Sequence, residues 1–147
     1  MPGILVGVDG SEHSHRALSW AMRQAAQQHV PLTVMTVRPN PARPATEIYW
    51  GVHAQPEDSH NLEVAQSAAQ GMVDKAAAEI GGTAPDVTVS AVAGDPAEEL
   101  IKASRDADML VVGSRGSGGF AKLLMGSVSS KVTHHAACPV TVVRRVR

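Results

Sequence analysis

Cysteine occurs once in this chain, at Cys138, which excludes an intramolecular disulfide and any cysteine-rich metal site. It precedes Pro139 at the mouth of an apolar run and reads as a small buried residue rather than a reactive thiol. Aromatic residues are scarce as well, at 3%, so the 44% apolar fraction rests on Ala and Val, side chains suited to close helix-on-sheet packing. An excess of one charge is also missing. Thirteen basic against fourteen acidic residues leave a net charge of −1, which gives no general case for nucleic acid or an anionic membrane as a partner. The one basic cluster, Arg144-Arg145-Val146-Arg147, reads as a solvated tail. No apolar run approaches the roughly 20 residues of a membrane span. The opening MPGILVGVDGSE has no basic region ahead of an apolar one. A soluble, cytoplasmic protein without nucleic-acid or membrane partners is the expectation, with residues 1–147 forming one domain.

What is present alternates between short apolar runs and helical spacing. Ile4 to Val8 reads as a buried strand that ends at Asp9-Gly10-Ser11. Ser11 caps a predicted helix carrying Ala17, Leu18, Ala21, Met22 and Ala25 on one side. Leu32 to Val37 is a second strand. From about residue 38 to 58 the pattern breaks: Pro39, Pro41, Pro44 and Pro56 deny regular structure, and Tyr49 and Trp50 interrupt a polar stretch. An irregular segment that long is either a functional flap, with Tyr49 and Trp50 as a lid, or a disordered excursion.

Helical spacing resumes at Leu62, Ala65, Ala69, Met72, Val73, Ala76 and Ile80, and stops at Gly81-Gly82. Val87 to Val92 is a third strand. Next come Asp95 as a cap, Pro96 at the first helical position and Glu98 to complete a capping box. Met109 to Val112 forms a fourth strand. A helix starting near Phe120 or Ser127 runs to Ala136, and Val140 to Val143 is the fifth strand. The strands read apolar throughout, as burial on both faces requires. The expected architecture is therefore α/β: an open five-stranded parallel sheet with helices on both faces.

Ligands of such sheets bind beyond the carboxyl ends of the strands, where strand order reverses. Two exits carry suitable chemistry, Asp9-Gly10-Ser11 and the stretch from Gly113 onward. The order 3-2-1-4-5 would bring both to one crevice. Gly113 and Gly116 permit tight turns and close backbone approach to a ligand. Gly126-Ser127-Val128-Ser129 reads as a helix start, whose unsatisfied N–H groups and positive dipole end suit phosphate. Arg115 and Lys122 offer positive charge or simply face solvent. Asp9 either caps the turn with Ser11 or meets a ribose hydroxyl or a bridging cation.

Sharper motifs are excluded. No Gly-Lys pair exists, so there is no Walker A sequence, and no serine has glycines two residues away on both sides. Gly116-x-Gly118-x-x-Ala121 matches a dinucleotide fingerprint, but it follows the fourth strand rather than the first. The histidine pairs His13/His15 and His134/His135 lack the companions of a metal site.

ILVGVDGSE, the Gly-Asp-Pro before the third helix, and VVGSRGSGGFAKLLMGSVSSKVTHHAACPVTVVR together resemble the universal stress protein family over essentially the whole chain. Its ATP-binding members carry G-x2-G-x9-G-[ST], matched by Gly113, Gly116, Gly126 and Ser127. The resemblance implies the adenine nucleotide alpha hydrolase-like fold, order 3-2-1-4-5, with ATP and Mg²⁺ or Mn²⁺ in the crevice. Position by position it implies Asp9 near the ribose, the phosphates or their metal, and Val37 presenting backbone to the adenine edge. Gly113, Arg115 and Gly116 would line the ribose and phosphates, and Gly126, Ser127, Val128 and Ser129 would hold the phosphates. Thr36 stands where relatives often have histidine. The resemblance further implies a homodimer through the edge strand Val140–Val143 and a stress or signalling regulator with at most slow ATP hydrolysis, read by an unknown downstream protein. An ATP-dependent transferase or hydrolase, or a nucleotide-independent scaffold, stays open from the residues alone.

Overall fold

A computed structural model describes residues 2–39, 56–115 and 126–145. Five strands, β1 (Ile4–Val8), β2 (Leu32–Arg38), β3 (Val87–Ala93), β4 (Met109–Gly113) and β5 (Val140–Val143), form one sheet in the order β3-β2-β1-β4-β5. Every pairing is parallel. Among the described residues the α-helices between them are α1 (Glu12–Gln28), α2 (Pro56–Ile80), α3 (Pro96–Ala103) and α4 (Ser127–His135). The chain builds outward through β1, β2 and β3, then crosses back to place β4 on the other side of β1. The exits of β1 and β4 thus lie side by side at the point of reversal.

Side-chain alternation sorts the core into two layers. Ile4, Val6 and Val8 of β1, with Leu32 and Val34 of β2, pack under α1 and α2. The α1 stripe Ala17, Leu18, Ala21, Met22 and Ala25 is wholly buried there. On the opposite face Leu5, Leu110 and Val112 meet Leu100 of α3 and Val132 of α4. Small residues let the helices sit close. A Cβ on Gly7 would stand 2.9 Å from a Leu100 methyl.

Three expectations need correcting. Pro56 does not interrupt regular structure; it is the first residue of α2, where a missing N–H costs nothing. Arg38 belongs to β2 and residues 56–58 to α2, so regular structure enters the stretch 38–58 at both ends, and Tyr49 and Trp50 lie outside the described residues. The strands are not apolar throughout. Thr88 and Ser90 alternate with Val87 and Val89 on β3, an edge strand whose Thr88 is exposed, so burial on both faces holds for the central β1 and β4. Of the two helix starts considered before β5, the structure has Ser127.

Candidate functional site

The exit of β1 is a self-braced turn. The Ser11 N–H and hydroxyl both donate to Asp9 Oδ1, at 2.9 and 2.5 Å. Ser11 Oγ in turn accepts from the Ser14 N–H at 3.2 Å and caps α1. Buried Ser14 closes the loop, donating to the Ser11 carbonyl at 3.0 Å and accepting from the Asp9 N–H at 3.2 Å. Gly10 has φ +86°, a backbone that side chains other than glycine rarely tolerate. The Asp9 carboxylate is therefore a turn-forming group, and it is also exposed at the sheet's carboxyl edge.

The exit of β4 is held by backbone. The Ser114 N–H donates to the Val143 carbonyl at 3.1 Å, and the Ser114 carbonyl accepts from the Gly126 N–H at 2.7 Å. Ser114 and Gly126 thus meet through their backbones. Gly126 is the N-cap of α4 and supplies no side-chain cap, and the first turn of α4 holds no acidic residue. The N–H groups of Ser127, Val128 and Ser129 have no carbonyl within the helix to donate to. By contrast α3 is capped by Asp95, whose carboxylate accepts from the Glu98 N–H at 2.9 Å, and it carries Glu98 and Glu99 in its first turn.

Gly113 lines the cavity and also has a packing reason for being glycine. A Cβ there would stand 2.7 Å from the His13 carbonyl oxygen. The residue lets the first turn of α1 press against the β4 exit, which draws the two loops together.

Between these exits lies a cavity of about 720 Å³, within the range of small-molecule sites. Asp9, Val37, Gly113 and Arg115 line it, and so do Gly126, Ser127, Val128 and Ser129. Of the residues singled out in the sequence, Gly116 lies outside the described residues, as do Phe120, Lys122 and the dinucleotide look-alike from Gly116 to Ala121.

Sequence reading missed the apolar wall. Met35, Leu100 and Pro96 contribute from one layer, and Ala65, Ala69 and Met72 from the other. Apart from Pro96, which reads as a helix start, each looks like an ordinary core position. Only the topology reveals that the α2 and α3 stripes end at the same opening.

The end of β2 adds an acceptor. Pairing with β1 stops at Val8↔Thr36, one residue short of Val37. The Arg38 carbonyl accepts from Gly94 on the β3 side, at 2.9 Å. Alternation therefore turns the Val37 carbonyl to the β1 side, just past the end of that strand.

Among the described lining residues the charged side chains are Asp9, Arg38 and Arg115. No group of three or more His, Cys, Asp or Glu that could hold a metal ion occurs among the described residues. Asp9 and the Ser127 hydroxyl are oxygen donors of the kind Mg²⁺ accepts when phosphates and water complete its shell. Cys138 sits elsewhere, half-buried against the α3/α4 layer. Burial and the neighbouring Asp108 carboxylate push its thiol up, outweighing a backbone hydrogen bond at Leu110.

No helix among the described residues is long and apolar enough to cross a membrane. Residues 2–144 match the universal stress protein family. A universal stress protein of Mycobacterium tuberculosis strain H37Rv is 36% identical over 148 residues, covering 96% of this chain and 47% of the relative. The chain thus spans about half the length of the curated relatives it matches. Among solved structures, a universal stress protein in complex with cAMP is 28% identical, with a TM-score of 0.65 and coverage of 97% of this chain and 95% of that one. Universal stress protein UspA from Lactobacillus plantarum superposes with a TM-score of 0.73 at 24% identity, covering 97% of each chain. The two braced exits, their parallel sheet and these likenesses agree, and the chain belongs to the universal stress protein family.

Proposed function

We propose that this chain binds ATP with Mg²⁺ in the cavity between β1 and β4, and that its output is the nucleotide-dependent state of the site rather than fast chemistry. The observation that carries this reading is the start of α4. It has no side-chain cap and no acid, and it opens into the same cavity as an apolar wall and the Val37 carbonyl. An anion supplies what that helix end lacks. The relative solved with cAMP, itself an adenine nucleotide, adds support for the class of ligand.

In this reading the adenine lies against Met35, Leu100 and Pro96, with its 6-amino group donating to the Val37 carbonyl. Gly113, Arg115 and Gly116 border the ribose and phosphates. The N–H groups of Ser127, Val128 and Ser129 and the exposed Ser127 hydroxyl hold the phosphates. Mg²⁺ is held by the phosphates with Asp9 and neutralises charge that would otherwise repel that carboxylate. Among the described lining residues Asp9 is the sole candidate base, and its carboxylate already accepts two hydrogen bonds. That arrangement favours binding and slow hydrolysis over evolved catalysis.

The assembly proposed is a homodimer through β5. This strand pairs with β4 on one side, and its residues Val140–Val143 are half-buried and largely apolar. On the opposite edge, the side chain of Gln66 on α2 donates to the Val89 carbonyl of β3, at 3.4 Å. An apolar edge strand favours pairing with a second copy. Mass spectrometry of nucleotide released from freshly purified protein tests the ligand, with an adenine nucleotide expected at near one per chain. Light scattering that finds only a particle of about 15 kDa would contradict the dimer.

A further inference from the structure

Ser129 lies in the first turn of the helix assigned to phosphate, and its position alone makes its hydroxyl an obvious phosphate donor. The geometry points to another role. Ser129 Oγ donates to the Ser114 carbonyl at 3.0 Å and to the Gly126 carbonyl at 3.1 Å, and the residue is only 3% exposed. A hydroxyl carries one proton. Shared between two carbonyls, that proton is not available to a phosphate oxygen, which has no proton of its own to offer the serine lone pairs at neutral pH beyond its partial second ionisation.

We infer that Ser129 is a positioning residue, a latch that fixes the start of α4 against the exit of β4. This rests on the nucleotide-binding reading above only for its functional consequence. The same Ser114 carbonyl that receives the Ser129 hydroxyl also receives the Gly126 N–H at 2.7 Å. Ser114 is itself buried, at 6% exposure, and its N–H is tied to Val143 at the end of β5. The Gly126 carbonyl accepts from both the Ser129 hydroxyl and the Ser130 N–H. One side chain therefore joins the last residue before the glycine-rich segment to the cap that ends it. Glycine at 126 gives the cap no side chain of its own, so the bracing comes from inside the first turn. The latch holds the N–H groups of Ser127 and Val128 toward the cavity without occupying it.

The test uses the full chain and separates the latch from a direct ligand role. Amide hydrogen exchange at Gly126 is measured without nucleotide in the wild type, Ser129→Ala and Ser129→Thr. ATP–Mg²⁺ and adenosine binding are measured on the same samples. The latch predicts that Ser129→Ala speeds Gly126 exchange and weakens ATP about tenfold, the loss of about one buried hydrogen bond. Adenosine, which lacks phosphate, binds unchanged, and Ser129→Thr, which keeps a hydroxyl, restores both readouts. If Ser129→Ala weakens ATP while Gly126 exchange without nucleotide stays as in the wild type, the hydroxyl is a ligand and the latch is wrong. Unchanged Gly126 exchange also overturns it when no protein binds ATP, an outcome that separately defeats the nucleotide reading. Should Ser129→Ala fail to fold, Ser129→Cys keeps the size with a weaker donor. The latch then predicts intermediate Gly126 exchange, and wild-type exchange in that variant overturns it.

Discussion

The two helices on one face of the sheet begin differently. α3 starts with Asp95 as its cap, a proline in its first turn, and Glu98 and Glu99 behind it. Its first turn is answered by its own carboxylates: Asp95 accepts from the Glu98 N–H, and Glu98 and Glu99 offset the dipole. α4 starts with a glycine, no side-chain cap and no acid, and it borders a 720 Å³ cavity. The chain thus caps one helix end with its own side chains and leaves the other without a side-chain cap or an acid. Local stability at α4 is supplied by Ser129 and Ser114 instead, which brace the turn through backbone carbonyls.

The comparison breaks most sharply if α4 is given what α3 already has. Ser127→Asp puts a carboxylate in the first turn of α4 at an exposed position. It should favour the helix by a few tenths of a kcal/mol while setting like charges together, which costs several kcal/mol of binding. ATP affinity is expected to fall about a hundredfold, read by calorimetry, with a melting temperature no lower than that of the wild type.

Next in size is Gly113→Ala. The new methyl would meet the His13 carbonyl at 2.7 Å, so overpacking should destabilise the fold by roughly 1–3 kcal/mol in a denaturant titration. A glycine needed only to clear a ligand path would show lost binding at unchanged stability.

Smaller again is Asp95→Ala, which removes the cap of α3 and should cost about 1 kcal/mol. Its weak contact with Lys131, at 3.9 Å, adds little because both side chains are about half exposed. ATP affinity should not move, because α3 makes no anion site.

The smallest effect concerns Cys138, beyond the far end of α4. Its raised thiol pKa means that at mildly alkaline pH the folded protein holds less thiolate than the unfolded chain. Alkylation should be slower than for an unstructured cysteine peptide at the same pH, and insensitive to ATP. By the same sign, stability is full below the unfolded thiol's pKa and declines as pH rises above it toward the folded value.

These features differ in how far they could be read from the chain itself. The Ser11 and Asp95 caps are legible because a side chain meets a backbone group three residues away, and the stripe from Ala17 to Ala25 declares its buried face by spacing alone. The order 3-2-1-4-5 is one that would bring the two chemically suited exits to one crevice, and the family resemblance implies it. The reason for Gly113 is not legible, since its neighbour is a backbone carbonyl at His13, distant in sequence and silent about side-chain identity. The inward hydrogen bond of the Ser129 hydroxyl is not legible either, since its acceptor Ser114 lies fifteen residues back in the chain. Leu100, Met35 and Met72 looked like plain core because a residue lining the end of a stripe has the same spacing as one in its middle. Pro56 misled in the other direction: a proline read as a breaker was a helix start.

The central claim is that the α4 start is completed by the phosphates of an adenine nucleotide. Isothermal calorimetry of ATP with Mg²⁺ into the folded chain, at several temperatures and beside Ser127→Asp, tests it most directly. The account predicts saturable binding near one ATP per chain that the aspartate weakens about a hundredfold. Absence of binding heat at every temperature in verified native protein, or equal affinity in the two proteins, would contradict it.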